Sequence, residues 1–312
     1  MDPITLTLII IFVVLIIAVF IFTLVIYRIT FYNEKKSLSY KENSLFDEFE
    51  AFLDIIYERA EELSKIPYED VYIKSYDGLT LHGRFYKGGD DKNIHIHLHG
   101  YKGEAYRDTS SGVLSSIKDG NNTLMVDLRG HGLSGSKTVT FGLKDRYDLR
   151  EWARYMDQRF NHKNNIFLMG ISMGGATVLM ASNLDLPKSV KGIVSDCPYS
   201  SVKDIILNTV RNMGLNGKLV YPFILLTCRL YLGISLNDSS AVESVKETKL
   251  PILIIHGTSD TYVPYEMSEK IKEANENIEL IGIKGAMHGL SFIVDPITYL
   301  DKVHEFTKKY SE

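Results

Sequence analysis

The stretch from Asn165 to Val178 constrains this chain more than any other. It opens as a short apolar run, Ile166-Phe167-Leu168-Met169, the pattern of a strand buried on both faces. It then passes through Gly170-Ile171-Ser172-Met173-Gly174 and continues in small, helix-compatible residues. A G-x-S-x-G sequence between a strand and a helix is the pattern of a nucleophile elbow. The tight turn leaves no room for side chains two positions either side of the serine, which is why Gly170 and Gly174 flank it. It lifts the Ser172 hydroxyl above the sheet, over the positive end of the following helix.

The rest of the chain supplies the sheet that such a turn needs. Val71 to Lys74 and Leu79 to Phe85 flank Asp77-Gly78 and read as a hairpin within Glu69 to Tyr86. Ile94–Leu98, Thr123–Asp127, the elbow strand, Val190–Asp196, Pro251–His256 and Ile278–Ile283 read as further strands. Leu143 to Phe160 and Pro296 to Tyr310 read as helices. A hairpin followed by alternating strands and helices predicts a mostly parallel, eight-stranded α/β sheet covered on both faces. With 312 residues, 45% of them hydrophobic, the chain is long enough for one large domain of this kind. A net charge of -4 gives no reason to expect nucleic acid. Two cysteines, Cys197 and Cys228, make neither a disulfide framework nor a zinc set, and read as reduced, packed thiols.

Ile4 to Ile26 contains no charged residue over 23 positions. As a helix it would be about 34 Å long, enough to cross a hydrocarbon core of about 30 Å. The run is too long for a signal-peptide core, follows Asp2 rather than a basic region, and has no polar face to suit a buried core helix. Residues 1–30 are therefore expected to be a single-pass membrane anchor. Arg28, Lys35, Lys36 and Lys41 follow the span and no Lys or Arg precedes it, which points the remaining chain to the cytoplasm. Residues 31–67 read as a juxtamembrane linker. Its helix, from about Ser37 to Pro67, carries an apolar face of Leu45, Phe46, Phe49, Phe52, Leu53, Ile55 and Ile56.

From about Tyr68 onward, residues 68–312, the chain resembles the α/β-hydrolase fold. It is most similar to the membrane-anchored Bem46-like and serine-aminopeptidase-like groups. Four blocks carry the resemblance: His99-Gly100-Tyr101, Asp127-Leu128-Arg129-Gly130-His131-Gly132-Leu133-Ser134, the Ser172 elbow, and the late loops holding Asp260 and His288. A serine hydroxyl needs a base to take its proton. The resemblance implies His288, in Gly285-Ala286-Met287-His288-Gly289, as that base, and Asp260 as the acid that orients it. The order Ser172, Asp260, His288 is the order of this fold. Asp196, which also ends a strand, is the rival acid. The fold's pattern puts the oxyanion donors on the backbone N–H groups of Met173 and Tyr101, with Gly100 giving the loop its room. Asp127, Arg129 and His131 match the fold's structural loop. His95, His97 and His99 alternate along one strand, and without an accompanying acidic or second histidine cluster they read as a strand face rather than a metal site.

The connection from about Ser201 to Val245 is long enough to form the cap that covers many such sites, giving a cap insert at about 201–248. Leu219 to Leu236 is strongly apolar, but Pro222, Arg229 and Gly233 interrupt it, which favours short helices over a second membrane span. These helices are expected to line an acyl-sized pocket or to touch the bilayer. The activity implied is cleavage of a carboxylic ester or thioester through an acyl-Ser172 intermediate, without metal or other cofactor. The substrate would be a small-molecule or lipid-like acyl compound. A peptidase of the serine-aminopeptidase kind, drawing on Asp238, Glu243 or Glu247, and a non-catalytic membrane scaffold are the rivals.

Overall fold

A computed structural model describes residues 1–34 and 52–311. Its centre is one eight-stranded sheet in the order β1-β2-β4-β3-β5-β6-β7-β8. β1 (Glu69–Lys74) and β2 (Thr80–Tyr86) form the expected hairpin, with Ile73 opposite Leu81. It turns at Gly78, whose φ of 87° lies where glycine is at home. β3 (Asp90–Leu98), β4 (Asn121–Asp127), β5 (Asn165–Ile171), β6 (Val190–Asp196), β7 (Ile252–Gly257) and β8 (Ile278–Ile283) complete the sheet. β2 runs antiparallel to both β1 and β4, while the pairings from β4 through β8 are all parallel. The sheet is thus mixed, with its reversed strand near one edge.

Alternation along the strands divides the core in two. Ile94, Ile96, Leu124, Ile166 and Leu168 face α4 (Asp145–Arg159), with its Leu149, Trp152 and Met156, and α5 (Met173–Met180). On the other face, Met125 meets α3 (Ala105–Lys118), while Phe167, Met169, Val194 and Ile255 meet Phe306 of α11 (Pro296–Ser311), which follows α9 (Glu266–Glu273) and the short α10 (Ser291–Val294). From β3 the chain moves through α3 to β4 on one side, then through α4 to β5 on the other. The chain therefore leaves the paired ends of β3 and β5 toward opposite faces, at the crevice where open α/β sheets bind ligands.

The expected juxtamembrane helix is described only as α2 (Leu53–Ser64); Lys35, Lys36, Lys41, Leu45, Phe46 and Phe49 lie outside the described residues. α2 packs on the protein, with Ala60 and Leu63 buried against Tyr86 and Val113. Between β6 and β7 come α6 (Val202–Asn212), α7 (Gly217–Thr227) with a π-helical turn at Cys228–Leu232, and α8 (Ala241–Val245). Gly233, at φ 61°, ends the π turn, whereas Pro222 lies inside α7 and Arg229 inside the π turn, so of the three expected breakers only Gly233 stops the helical run.

The first helix, α1 (Pro3–Ile26), is long and apolar enough to cross a membrane. Asp2 caps it, accepting from the N–H groups of Ile4 and Thr5. Within α1 only Thr23 and Ile26 are buried, because only its last turns meet the rest of the chain. There the Phe22 ring lies 5.0 Å from Phe223 on α7, and Tyr27 stacks on Tyr231 at 5.1 Å. A π-helical turn, Tyr27–Phe31, leads down into the sheet-bearing part. Phe31 is fully buried against Phe141, and its carbonyl accepts from the Val139 N–H at 2.7 Å.

Candidate active site

The chain turns from β5 into α5 at Ser172 with φ 55° and ψ −114°. That conformation is unfavourable for a residue with a side chain, and it persists because both sides of the turn are locked. The Ser172 N–H donates to the Asp196 carbonyl at 2.8 Å, and its carbonyl accepts from Ala176. Neighbouring backbone explains the glycines. A Cβ on Gly170 would stand 2.4 Å from the Gly174 carbonyl carbon, and one on Gly174 only 2.3 Å from the Leu98 oxygen.

Three groups far apart in sequence meet above this turn. His288 Nε2 lies 2.9 Å from Ser172 Oγ, and His288 Nδ1 lies 2.7 Å from Asp260 Oδ2. All three side chains are buried. Asp260 also receives the backbone N–H groups of Tyr262 and Val263 on Oδ1, at 3.0 and 2.8 Å. A further histidine, His256 at the end of β7, reaches Asp260 Oδ2 with Nε2 at 3.1 Å and holds Ser268 with Nδ1. Burial alone would raise the Asp260 carboxyl, but the positive potential of His288 and the bonds from His256 and His288 hold it down at about 2. The rival acid, Asp196, accepts from Ser291 instead, and burial pushes its carboxyl up to about 6. Cys197 lies beside Asp260 and His288, their ligand-type atoms within 4.8 Å of one another. Burial, together with Asp196 and Asp260, raises that thiol well above its usual range. A protonated thiol beside two groups already bonded to each other is a poor metal donor set.

Met173 opens α5, where the first N–H groups of a helix lack internal partners, and Tyr101 follows Gly100 beyond β3. Neither N–H has a hydrogen-bond partner among the described residues. Asp108, which the sequence did not single out, fastens this loop by accepting the Gly100 N–H at 3.1 Å. The Tyr101 ring stacks on Phe141 at 4.9 Å, and its hydroxyl donates to the Thr30 carbonyl at 2.6 Å. Lys102 reaches the Ile29 carbonyl at 2.7 Å. The segment leaving α1 is thus bolted to the loop beside Ser172. No local pattern marks a contact spanning 71 positions.

The remaining conspicuous residues hold structure. Asp127 accepts from His82 at 2.7 Å and from the Leu133 N–H at 3.0 Å, and Arg129 clamps Asp148 and Asp77. His131 bonds the Arg129 carbonyl with Nδ1. The three alternating histidines do not converge on one point. His95 and His97 both bond Ser116, at 2.8 and 3.1 Å, whereas His99 accepts the Leu128 N–H at Nε2.

A cavity of about 180 Å³ opens beside Ser172 and His288. It runs between α3 and α11 over the sheet face that carries His97, Met169 and Val194, with Ile56 and Tyr57 of α2 at its side. No residue of the 201–245 insert lines it. The expectation that the insert walls the pocket is therefore not met by this cavity, which lies on the opposite face of the sheet from α5.

Residues 96–218 match the family model described as the alpha/beta hydrolase fold. The chain carries that fold. It is similar to the esterase Pf2001 of Pyrococcus furiosus, with 27% identity, a TM-score of 0.64, and 81% of this chain and 96% of that one covered. Est1E of Butyrivibrio proteoclasticus, solved with ferulic acid, shares the fold at 22% identity and a TM-score of 0.59, over 77% of this chain and 98% of that one. Among sequences, the uncharacterised protein YqkD of Bacillus subtilis is 25% identical over 260 residues, 80% of this chain and 82% of that protein. The chain's structural neighbours thus include an esterase of the same fold.

Proposed function

We propose that the chain is a membrane-anchored serine hydrolase that cleaves a carboxylic ester or thioester, of the kind found in the Bem46-like and serine-aminopeptidase-like groups. The observation that carries this reading is the hydrogen-bonded row Ser172 Oγ, His288 Nε2, His288 Nδ1, Asp260 Oδ2 on a strained turn. Ser172 Oγ attacks the acyl carbon while His288 Nε2 takes its proton. Asp260, held ionised, stabilises the imidazolium that results. The oxyanion forms against the N–H groups of Met173 and Tyr101, each such donor being worth about 100- to 1000-fold in rate. Collapse expels the alcohol or thiol, which leaves with the proton from His288. Water then repeats the steps, so that His288 deprotonates it and returns the proton to Ser172 as the acid product departs.

Two rivals have less support. A peptidase selecting a free amine needs a carboxylate facing the substrate. Asp238, Glu243 and Glu247 lie away from the cavity, and Glu243 is paired with Lys246 at 2.7 Å. A scaffold gains nothing from holding Ser172 at positive φ, a strain of about 1–3 kcal/mol.

The anchor reading rests on how α1 sits. A core helix would be covered by its own protein, whereas α1 leaves its leucines, isoleucines and phenylalanines exposed along most of its length. A cleaved leader would not be expected to place its exit segment, Phe31, in the core. α7 touches α1 at Phe22 and Thr23, inside the uncharged run, and exposes Leu219 and Leu226 nearby, which supports a position for it at the membrane surface. The anchor is assigned to residues 1–30, the linker to 31–67 and the catalytic domain, with the insert, to 68–312. The basic residues after the span support a cytoplasmic side for the catalytic domain.

Stopped-flow hydrolysis of p-nitrophenyl esters tests the chemistry. The wild-type protein is expected to release one equivalent of p-nitrophenol in a burst, and Ser172→Ala none. An undiminished burst in a folded Ser172→Ala protein would overturn the assignment.

A further inference from the structure

The insert was the obvious wall for a substrate pocket, yet the space beside Ser172 lies elsewhere. We propose that the acyl group enters the cavity between α3 and α11, on the sheet face away from α5, and that this pocket takes an uncharged hydrocarbon acyl group of about six carbons. This rests on the proposed acyl-Ser172 chemistry and adds the direction and size of the acyl site.

Ser172, His288 and Gly100 line the mouth of the same cavity whose walls include Met169, Leu300 and Val303. An apolar cavity of about 150 Å³ accommodates benzene, and this one measures about 180 Å³. The wall formed by α3 is built from small residues, among them Gly112 and Ser115. At Gly112 a Cβ would stand 3.1 Å from His97 Cε1, so this wall is already close to the histidines below.

The polar groups present do not demand a charged ligand. Ser116 donates its proton to the Gly112 carbonyl at 2.9 Å and so accepts from the rings of His95 and His97. Burial drives the His97 imidazole down to about 3 and that of His95 well below its usual value, so both are neutral near pH 7. Arg107 at the mouth is paired with Asp108 at 2.8 Å, and at the far end His304 is paired with Asp119. A terminal carboxylate on the acyl group would meet no uncommitted cation among these side chains, and burying it unpaired is costly.

The test compares p-nitrophenyl esters from acetyl to dodecanoyl, with the monosuccinyl ester as the charged case, and labels each protein with a fluorophosphonate. The wild type should prefer chains near hexanoyl and discriminate against succinyl. Ser115→Leu, which fills the cavity, should lower the hexanoyl-to-acetyl ratio of kcat/KM by about tenfold or more. Val303→Ala, which enlarges it, should move the optimum to longer chains. A crystal structure of the adduct formed with a hexylphosphonate probe should show the alkyl chain between α3 and α11. Labelled variants that keep the wild-type preference, or an alkyl chain lying beneath α6 and α7, would overturn the pocket alone. A folded wild type that no fluorophosphonate labels would overturn the hydrolase reading with it.

Discussion

At Ser172 a few atoms decide whether the turn can form. Its positive φ is tolerated because Gly170 and Gly174 let strand, turn and helix approach closely. Gly174→Ala would push a methyl into the Leu98 carbonyl and is expected to cost about 3 kcal/mol or more, visible as a depressed Tm or insoluble protein. Asp260→Asn should keep the fold but lower kcat by about 10⁴-fold, because the amide favours the wrong imidazole tautomer. Asp196→Asn should leave the burst intact, since its carboxylate bonds Ser291 rather than His288. These two acids also pull stability in opposite directions with pH. Asp260, depressed in the folded chain, adds stability above its unfolded value near 4 that is lost as pH falls toward 2. Asp196, raised to about 6, adds stability at low pH that is lost as pH rises from about 4 through 6. Thermal melts of Asp196→Asn against wild type should therefore turn in the variant's favour between pH 4 and 7, and a difference constant across that range would contradict the burial argument. The sequence favoured Asp260 by chain order but kept Asp196 as a rival, each at the end of a strand, because the distance of either to His288 is a three-dimensional quantity.

At the scale of elements, the strands and the elbow were readable because buried parallel strands are uninterrupted apolar runs and the glycines mark the turn. α3 was not readable in the same way. Thr109, Ser110, Ser111, Gly112, Ser115 and Ser116 give it a poor helix propensity, and tertiary packing overrides that. Many of the same residues line the cavity, so the feature that hides the helix is the feature that makes the pocket. The link from α1 to the Tyr101 loop was equally hidden, because it joins Thr30 to a residue far along the chain. Tyr101→Phe removes the bond to the Thr30 carbonyl and frees the loop that carries a proposed oxyanion donor. It should lower kcat about fivefold, the equivalent of ~1 kcal/mol, with little change in KM. Unchanged steady-state kinetics would separate the anchor segment from the site.

For the whole molecule, the sheet, the long apolar helix and the hydrogen-bonded row of Ser172, His288 and Asp260 are joined, since the exit from α1 is buried against the loops that border Ser172. Phe31→Ala should destabilise it by about 3–5 kcal/mol, because it empties a fully buried site between those loops. A proposed anchor packed this closely would fix the catalytic mouth near the bilayer rather than leave it on a free tether. Peptide mapping of the full-length protein after fluorophosphonate treatment shows whether Ser172 is the nucleophile. The account predicts a single phosphonylated peptide carrying the adduct on Ser172, and its loss in His288→Ala. Folded wild-type protein with no adduct, or with the adduct on another serine, would contradict it.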